Sequence, residues 1–158
     1  MKIIFVCYAN LCRSPLAEGI FKQLLENSEK PDSIIVSSAG IHAYEGSPPH
    51  SKSIQVAKER GIDISEYGGV QLTKEMAREA ELILTLDESV KQHILSYYTN
   101  NSKKVVTLKE CGGETEDLDV DDPYGLSTEA FRRCADEIEE YSIKILEKLD
   151  LRQSSFKC

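Results

Sequence analysis

The sequence predicts an α/β fold in which a four-stranded parallel sheet is covered by helices on both faces. Four short apolar runs have the character of buried strands, and segments with helical periodicity separate them along the 158-residue chain. Strands that alternate with helices favour a parallel sheet with right-handed crossovers. Because ligands of such sheets bind beyond the carboxyl ends of the strands, functional residues are expected where the apolar runs end.

The first strand is predicted at residues 3–6, and an amphipathic helix at residues 14–27 follows it. Ser14 is expected to cap this helix, with Pro15 as its first residue. The apolar residues of the helix recur at helical spacing and are Leu16, Ile20, Phe21, Leu24 and Leu25. This apolar face is expected to lie on the sheet.

The second strand is predicted at residues 34–38, with Gly40 marking the turn after it. Residues 42–50 contain a glycine and two prolines and are predicted to form a loop. A further helix is expected to end near Arg60, because Gly61 is a typical helix stop.

Residues 62–72 have no clear period and are predicted to be irregular. A short helix capped by Thr73 follows, and the third strand is predicted at residues 82–86. The next helix is expected to be capped by Asp87, and the fourth strand is predicted at residues 105–108.

An acidic loop at residues 111–126 precedes the last predicted helix. The inward stripe of that helix is predicted to consist of Phe131, Cys134, Ile138, Tyr141, Ile145 and Leu149. No internal repeat or composition shift divides the chain, so residues 1–158 are expected to form one domain.

The loop between the first strand and the first helix begins at Cys7 and ends at Arg13. Such a loop turns backbone N–H groups toward one point, where the helix dipole adds positive potential. We therefore predict an oxyanion site there, in which the planar fork of Arg13 suits two oxygens of a phosphate. The same field favours a thiolate at Cys7. The predicted phosphate-binding residues are Tyr8, Ala9, Asn10, Leu11, Cys12 and Arg13.

A thiolate beneath a bound phosphate can attack phosphorus in line and form a phosphocysteine, which water later hydrolyses. The leaving group departs more readily if a carboxylic acid protonates it. From the residues alone, four aspartates of the acidic loop are candidates, unless the loop is simply a solvated segment: Asp117, Asp119, Asp121 and Asp122. Their spacing fails the calcium-loop template, which requires Gly in place of Asp122 and Glu in place of Thr128. No metal or other cofactor is expected.

The segment Val6-Cys7-x-x-Asn10-x-Cys12-Arg13-Ser14-Pro15 resembles the signature of the low-molecular-weight protein tyrosine phosphatases. The resemblance spans essentially the whole chain and continues at Ser38-Ala39-Gly40, Leu72-Thr73, Leu82 to Ser89 and Asp122-Pro123-Tyr124. It implies a Rossmann-like, three-layer fold with strand order 2-1-3-4.

The resemblance also implies roles for individual residues. Asp122 matches the general acid of the family, which later acts as a base toward water. At the position of Ser14, the family places a hydroxyl that donates a hydrogen bond to the thiolate of Cys7. Asn10 tolerates the left-handed conformation that a loop around an anion needs, and its amide is expected to tie the loop to Ser38.

The resemblance leaves two substrate classes open. In relatives that act on phosphotyrosine, aromatic walls hold the ring, and Tyr44 and Tyr124 align with those walls. Related bacterial phosphatases specific for phosphoarginine are similar to this chain at residues 105–110, but they carry Thr at the position of Leu11. Because a bulky aliphatic side chain favours a flat ring, Leu11 favours phosphotyrosine.

Three departures from the family pattern stand out. Ala9 occupies a position where the family has Gly, and a Cβ there costs about 1 kcal/mol or more if the residue requires a positive φ. A strained or switchable loop is therefore expected at Ala9. Tyr67 and Val70 lie near positions where relatives often have His and Arg, so the supporting hydrogen bonds there are expected to differ.

The chain has five cysteines, an odd number that suits a reducing compartment. Cys12 has two alternative roles. It either packs within the loop or captures an oxidised Cys7 as a disulfide. Cys134 is expected to pack in the core, and Cys111 and Cys158 have no metal-site spacing.

The net charge of -8 argues against nucleic acids and anionic membranes as partners. No signal-peptide or membrane-spanning pattern is recognisable, so a cytoplasmic protein is expected. A monomer is also expected, and the family resemblance implies phosphorylated proteins or peptides as substrates. Two other classes are less favoured. Arsenate reductases of this fold need two further cysteines near the third strand, and residues 80–95 contain none. A non-catalytic phosphate-binding module is expected to lose Cys7 or Asp122, and both are present.

Overall fold

A computed structural model describes residues 1–28, 33–150, 156 and 158. These described residues form four strands, β1 (Lys2–Cys7), β2 (Ile35–Gly40), β3 (Leu82–Thr85) and β4 (Val105–Thr107). The helices are α1 (Arg13–Glu26), α2 (Ser51–Glu59), α3 (Lys74–Glu79), α4 (Glu88–Tyr97), α5 (Leu108–Cys111) and α6 (Thr128–Asp150). All the strands pair in parallel, in the order β2-β1-β3-β4. The predicted fold class and strand order are therefore confirmed.

The register of the sheet aligns the carboxyl ends of its strands. Cys7 at the end of β1 is opposite Gly40 at the end of β2, and Val6 is opposite Thr85 at the end of β3. The acidic loop joins the same edge, because the Val120 N–H donates to the carbonyl of Leu86 at 2.8 Å. Three separate segments therefore converge near Cys7.

Alternate residues of β1 serve two apolar layers. Ile3 and Phe5 belong to a core that includes Phe21 of α1 and Phe131 of α6. Ile4 and Val6 belong to a second core on the opposite face of the sheet, which includes Ile83, Val90 and Ile94. A strand buried on both faces explains why its sequence is continuously apolar rather than alternating.

Most elements lie within two residues of their predicted bounds. Gly40, predicted to mark the turn after the second strand, is instead the last residue of β2. Thr73 and Asp87 cap α3 and α4 by accepting hydrogen bonds from Met76 N and Val90 N, as predicted. The capping role predicted for Ser14 is wrong, because Cys12 is the N-cap of α1 and Ser14 lies inside the first turn, with its hydroxyl used elsewhere.

The predicted fourth strand is one residue too long, and a short helix follows it directly. Thr107 and Glu110 form a capping box, in which each side chain accepts from the backbone N–H of the other residue. This box starts α5 at Leu108, at the first residue after β4. The sequence contains the Thr-x-x-Glu signature of a capping box, but the apolar run that ends at Leu108 favoured a longer strand instead.

The predicted stripe on α6 is confirmed. Phe131, Ile138 and Ile145 are fully buried, and Cys134 is buried in the same core. Burial raises the pKa of Cys134 to about 12, so this thiol stays neutral and packs as an apolar group.

Among the residues that the structure describes, no helix combines the length and apolar composition needed to cross a bilayer.

A disulfide joins Cys111 at the end of α5 to Cys158, while Cys7, Cys12 and Cys134 are free. This bond runs against the reducing compartment expected from the cysteine count. Phe156 is partly buried and packs against the main core, so the described tail residues return to the body of the protein. Two cysteines that are 47 residues apart give no local sequence signal of their pairing.

We expect Cys158→Ser to lower the free energy of unfolding. Closing a loop across a sequence separation of 47 residues is worth about 4 kcal/mol in a chain-entropy treatment, which sets the expected upper size of the loss. Urea unfolding with and without a thiol reductant measures it. Reductant should bring the wild type down to the stability of the variant and leave the variant unchanged, whereas a wild type that ignores the reductant would contradict the prediction.

Candidate active site

The loop from Cys7 to Arg13 wraps tightly because one of its residues takes a left-handed conformation. Asn10 has φ 53°, and in the described part of the chain Asp117 is the one other non-glycine residue with a positive φ. Ala9 does not have a positive φ, so the strain expected from its Cβ is absent and that expectation is wrong. The loop also presses on β2, since a Cβ on Gly40 would lie 2.7 Å from backbone atoms of Ala9 and Asn10.

Cys7 is buried at the base of this loop, and its Sγ lies 3.0 Å from the hydroxyl oxygen of Ser14. That oxygen accepts a hydrogen bond from the Asn10 amide at 2.7 Å. The single hydroxyl proton of Ser14 therefore has two acceptors within reach, Sγ and the more distant Ala39 carbonyl at 3.4 Å. When Cys7 is a thiolate, this geometry suits donation from Ser14 to sulfur.

The side chain of Asn10 connects the loop to three other segments. Its amide nitrogen also donates to Ser38 at 3.0 Å, the partner expected from the sequence, and its oxygen accepts from Val70 N at 3.0 Å. Ser38 in turn donates to Glu18 at 2.6 Å, and Glu18 is paired with Lys22. The network therefore runs from the thiol to a charged pair on α1 that sequence reasoning missed.

The structure gives defined contacts to Val70 and Tyr67, the two residues on this side that depart from the family pattern. Val70 contributes through its backbone N–H, which needs no particular side chain. Tyr67 packs against the core beneath the ammonium group of Lys22, 5.2 Å from the ring centroid. Burial, and then the nearby Glu18, raise the pKa of Tyr67, so its phenol stays neutral.

Arg13 is buried, and its guanidinium is held in a fixed orientation. One terminal nitrogen donates to Asp87 and to the carbonyl of Val120, both at 2.8 Å, while the other lies 3.8 Å from Asp122. Burial alone lowers the pKa of Arg13, but Cys7, Asp87 and Asp122 raise it above its ordinary value. The guanidinium therefore remains charged.

Asp87 also belongs to the site, and sequence reasoning missed this role. One carboxylate oxygen caps α4 by accepting from Val90 N, and the other binds Arg13. Its capping role was recognised from the sequence, but its second oxygen was not considered. The available signal was its position just after β3, at the edge where the strand ends converge.

Of the four candidate aspartates, Asp122 alone lines the cleft above Cys7. Its side chain is half exposed, and one oxygen accepts from Tyr124 N at 3.1 Å. Asp119 instead accepts from Glu88 N at the start of α4. The acidic loop is therefore anchored through Asp119, and the carboxylate of Asp122 faces the cleft.

The cleft has a volume of about 300 Å³ and largely apolar walls. Leu11 lies in it and also packs against the core, while the residues Tyr44 and Tyr124 are 83% and 63% exposed at its rim. Ser47 is a lining residue that the sequence did not single out. The residues around the cleft are Cys7, Tyr8, Ala9, Leu11, Cys12, Arg13, Tyr44, Ser47, Asp122 and Tyr124.

Cys12 is buried beneath the loop, and its carbonyl accepts from the hydroxyl of Ser53 at 3.1 Å. Burial raises the pKa of Cys12 to about 12, with Asp122 and Cys7 adding to the effect. Both roles expected for Cys12, packing within the loop and capture of an oxidised Cys7 as a disulfide, stay predictions. Across the described ranges, no group of three or more potential ligands is arranged for a metal ion.

A buried thiol and a buried guanidinium at the two ends of an anion-binding loop define a cysteine-dependent phosphatase. A model of the low molecular weight phosphotyrosine protein phosphatase family matches residues 2–155, and the chain belongs to this family.

Relatives named for two different substrates are about equally similar to this chain. A probable low molecular weight protein-tyrosine-phosphatase EpsP from Ralstonia nicotianae is 36% identical, over 87% of this chain and 88% of its own. A protein-arginine-phosphatase from Geobacillus stearothermophilus is also 36% identical, over 96% and 98%. The crystal structure of a low molecular weight protein tyrosine phosphatase from T. tengcongensis superposes with a TM-score of 0.87 at 38% identity, covering 94% and 99%.

Proposed function

We propose that this protein hydrolyses phosphotyrosine in proteins or peptides through a phosphocysteine on Cys7. The observation that carries the proposal is the cleft itself, in which Leu11, Tyr44 and Tyr124 surround the approach to a buried thiol and guanidinium. A flat ring fits between apolar walls, and its phosphate then reaches the loop.

In the first step, the thiolate of Cys7 attacks phosphorus in line with the ester oxygen. The S–P bond forms as the P–O bond breaks, and Asp122, as a carboxylic acid, gives its proton to the departing phenolate oxygen. The amides of residues 8–13 and the guanidinium of Arg13 bind the non-bridging oxygens, whose negative charge they balance. Ser14 donates to sulfur and keeps the thiolate oriented.

In the second step, Asp122 as a carboxylate removes a proton from water. The water oxygen attacks phosphorus, the S–P bond breaks, and Cys7 leaves as a thiolate beside inorganic phosphate. Ser14 again stabilises the sulfur anion. The cycle uses side chains of this chain and water, and it requires no metal.

A protein arginine phosphatase is the second candidate, since relatives of that name match this chain as well as the tyrosine phosphatases do. The guanidinium of phosphoarginine is polar on all its edges, and it gains little from a wall such as Leu11. The aliphatic side chain of Leu11 supports the aromatic substrate.

Hydrolysis of phosphotyrosine and phosphoarginine peptides of otherwise identical sequence tests this choice. The wild type should prefer phosphotyrosine, and Leu11→Thr should shift the ratio of the two kcat/KM values toward phosphoarginine by about 10-fold, a typical effect of one pocket contact. A wild type that prefers phosphoarginine would show that Leu11 is not the specificity filter. Cys7→Ser serves as the inactive control for both substrates.

Phosphorylated proteins or peptides are the partners that fit this chemistry, and inorganic phosphate is expected to bind the loop as a product. The net charge of -8 supports neither nucleic acid nor an anionic membrane as a ligand. A monomeric state and a cytoplasmic location stay predictions, and the Cys111–Cys158 bond weighs against the latter because disulfides persist mainly in oxidising compartments.

A further inference from the structure

We propose that a line of four rings beside the cleft binds an aromatic side chain of the substrate, a few residues along the polypeptide from the phosphotyrosine. The rings belong to Tyr8, His42, His93 and Tyr97, which we name the ring stripe. The proposal rests on the proposed function, since it concerns how a phosphotyrosine polypeptide continues outside the cleft.

Each ring of the stripe contacts the next. The ring centroids of Tyr8 and His42 are 4.9 Å apart, those of His42 and His93 are 5.7 Å apart, and those of His93 and Tyr97 are 4.8 Å apart. All three pairs are tilted by between 42° and 59°. These separations fall in the range that aromatic pairs prefer, so the rings form one continuous surface.

The backbone holds the stripe in place. The His42 N–H donates to the carbonyl of Tyr8 at 2.8 Å, which joins the first two rings through their main chains. His93 and Tyr97 are four residues apart on α4 and therefore share one face of the helix. Gln71 fixes the segment around His42, because it accepts from Ala43 N and donates to the Ile41 carbonyl. A surface held this way loses little entropy on binding.

Three of the four rings are exposed, and the stripe starts at the cleft. Tyr8 lines the cleft and is 54% exposed, His42 is exposed, and Tyr97 is 66% exposed, while His93 between them is partly buried. Single exposed aromatic residues are ordinary on protein surfaces, but a row of contacting rings that begins at a cleft offers a continuous contact surface. A substrate chain whose phosphotyrosine occupies the cleft must leave it over the surrounding surface, and on this side that surface is the ring stripe.

The chemistry of the stripe favours an aromatic occupant. Its tilted rings offer faces and edges against which another ring can pack. Because an extended chain advances about 3.3 Å per residue, ring steps of this size place the occupant roughly two to five residues from the phosphotyrosine. Phe, Tyr or Trp at one such position meets both requirements.

The test is hydrolysis of phosphotyrosine peptides in which Phe or Ala is placed in turn at positions two to five on each side. Phe on one side should raise kcat/KM by about 2- to 10-fold through a lower KM, as expected for one additional ring pair. This preference should disappear in His93→Ala and Tyr97→Ala and persist in Tyr97→Phe, which keeps the ring. A small aryl phosphate does not extend beyond the cleft, so its hydrolysis should be the same in all these proteins.

The outcomes separate this inference from the proposed function. Peptides that are hydrolysed with no preference for Phe would overturn the ring stripe alone. A preference that survives in both alanine variants would also overturn it, because the ring would then be bound elsewhere. Failure of the wild type to hydrolyse the aryl phosphate and every phosphotyrosine peptide would overturn the proposed function and this inference together.

Discussion

Cys7→Ser is expected to lower kcat for phosphotyrosine peptides by on the order of 10⁴-fold or more, the scale of loss seen when a covalent nucleophile is removed. The hydroxyl of Ser is far less acidic than a thiol, so it supplies no comparable anion beneath the phosphate. The loop amides and Arg13 are unchanged, and Arg13 keeps its hydrogen bonds to Asp87 and Val120. Binding of inorganic phosphate should therefore survive while turnover is lost.

Phosphate release measures turnover, and calorimetric titration with inorganic phosphate measures binding. The two readouts distinguish loss of the nucleophile from collapse of the loop. Substantial turnover by Cys7→Ser would rule out the phosphocysteine route. If the wild type binds phosphate but turns over neither phosphotyrosine nor phosphoarginine, the non-catalytic phosphate-binding module becomes the better interpretation.

Asp122→Asn is expected to lower kcat for phosphotyrosine peptides by about 10²- to 10⁴-fold, the usual contribution of a general acid or base. The amide cannot give a proton to the leaving group or remove one from water. Its oxygen can still accept from Tyr124 N, so the turn that positions it should remain. The loss should be smaller for aryl phosphates with acidic phenols, because these leave without protonation.

A series of aryl phosphates with phenols of different pKa measures this dependence. Asp121→Asn is the matched control, because Asp121 is the exposed neighbour in the same loop and does not line the cleft. It removes the same charge and should leave the rates nearly unchanged. Equal losses in the two variants would point to the charge of the loop rather than to proton transfer by Asp122.

The loop from Cys7 to Arg13 could be predicted from sequence because its chemistry is local. A strand, a turn and a helix start follow one another within a few residues, and the predicted anion site would be built from their backbone. The left-handed Asn10 belongs to the same class of prediction, since Asn tolerates that conformation better than most residues.

Contacts between distant segments could not be predicted in the same way. Asp87 accepts a hydrogen bond from Arg13 through the carboxylate oxygen that does not cap α4, and Glu18 accepts one from Ser38. Nothing in the neighbouring sequence indicates these partners. Selecting Asp122 from four aspartates required the family resemblance, because the acidic loop has no period that orients one carboxylate. The structure separates them by placing one alone against the cleft.

The two errors near the loop share a cause, which is that residue preference was applied without the backbone conformation. Ser14 is a residue type that often caps helices, but the N-cap of α1 is Cys12, two residues earlier, and the hydroxyl of Ser14 accepts from Asn10. Ala9 replaces a family glycine, but its backbone does not use the freedom that glycine offers. In both cases the side chain fits the site through a geometry that the sequence does not specify.

The Cys111–Cys158 bond has a practical consequence for work with this enzyme. A thiol with the role proposed for Cys7 is usually protected by adding a thiol reductant, since oxidation past the sulfenic acid is irreversible. The same additive can open the bond at the tail, so the preparation with the best-preserved activity need not be the most stable one. Rates and melting curves collected under these two conditions would describe two different covalent molecules, and Cys158→Ser removes that ambiguity by having one form under both.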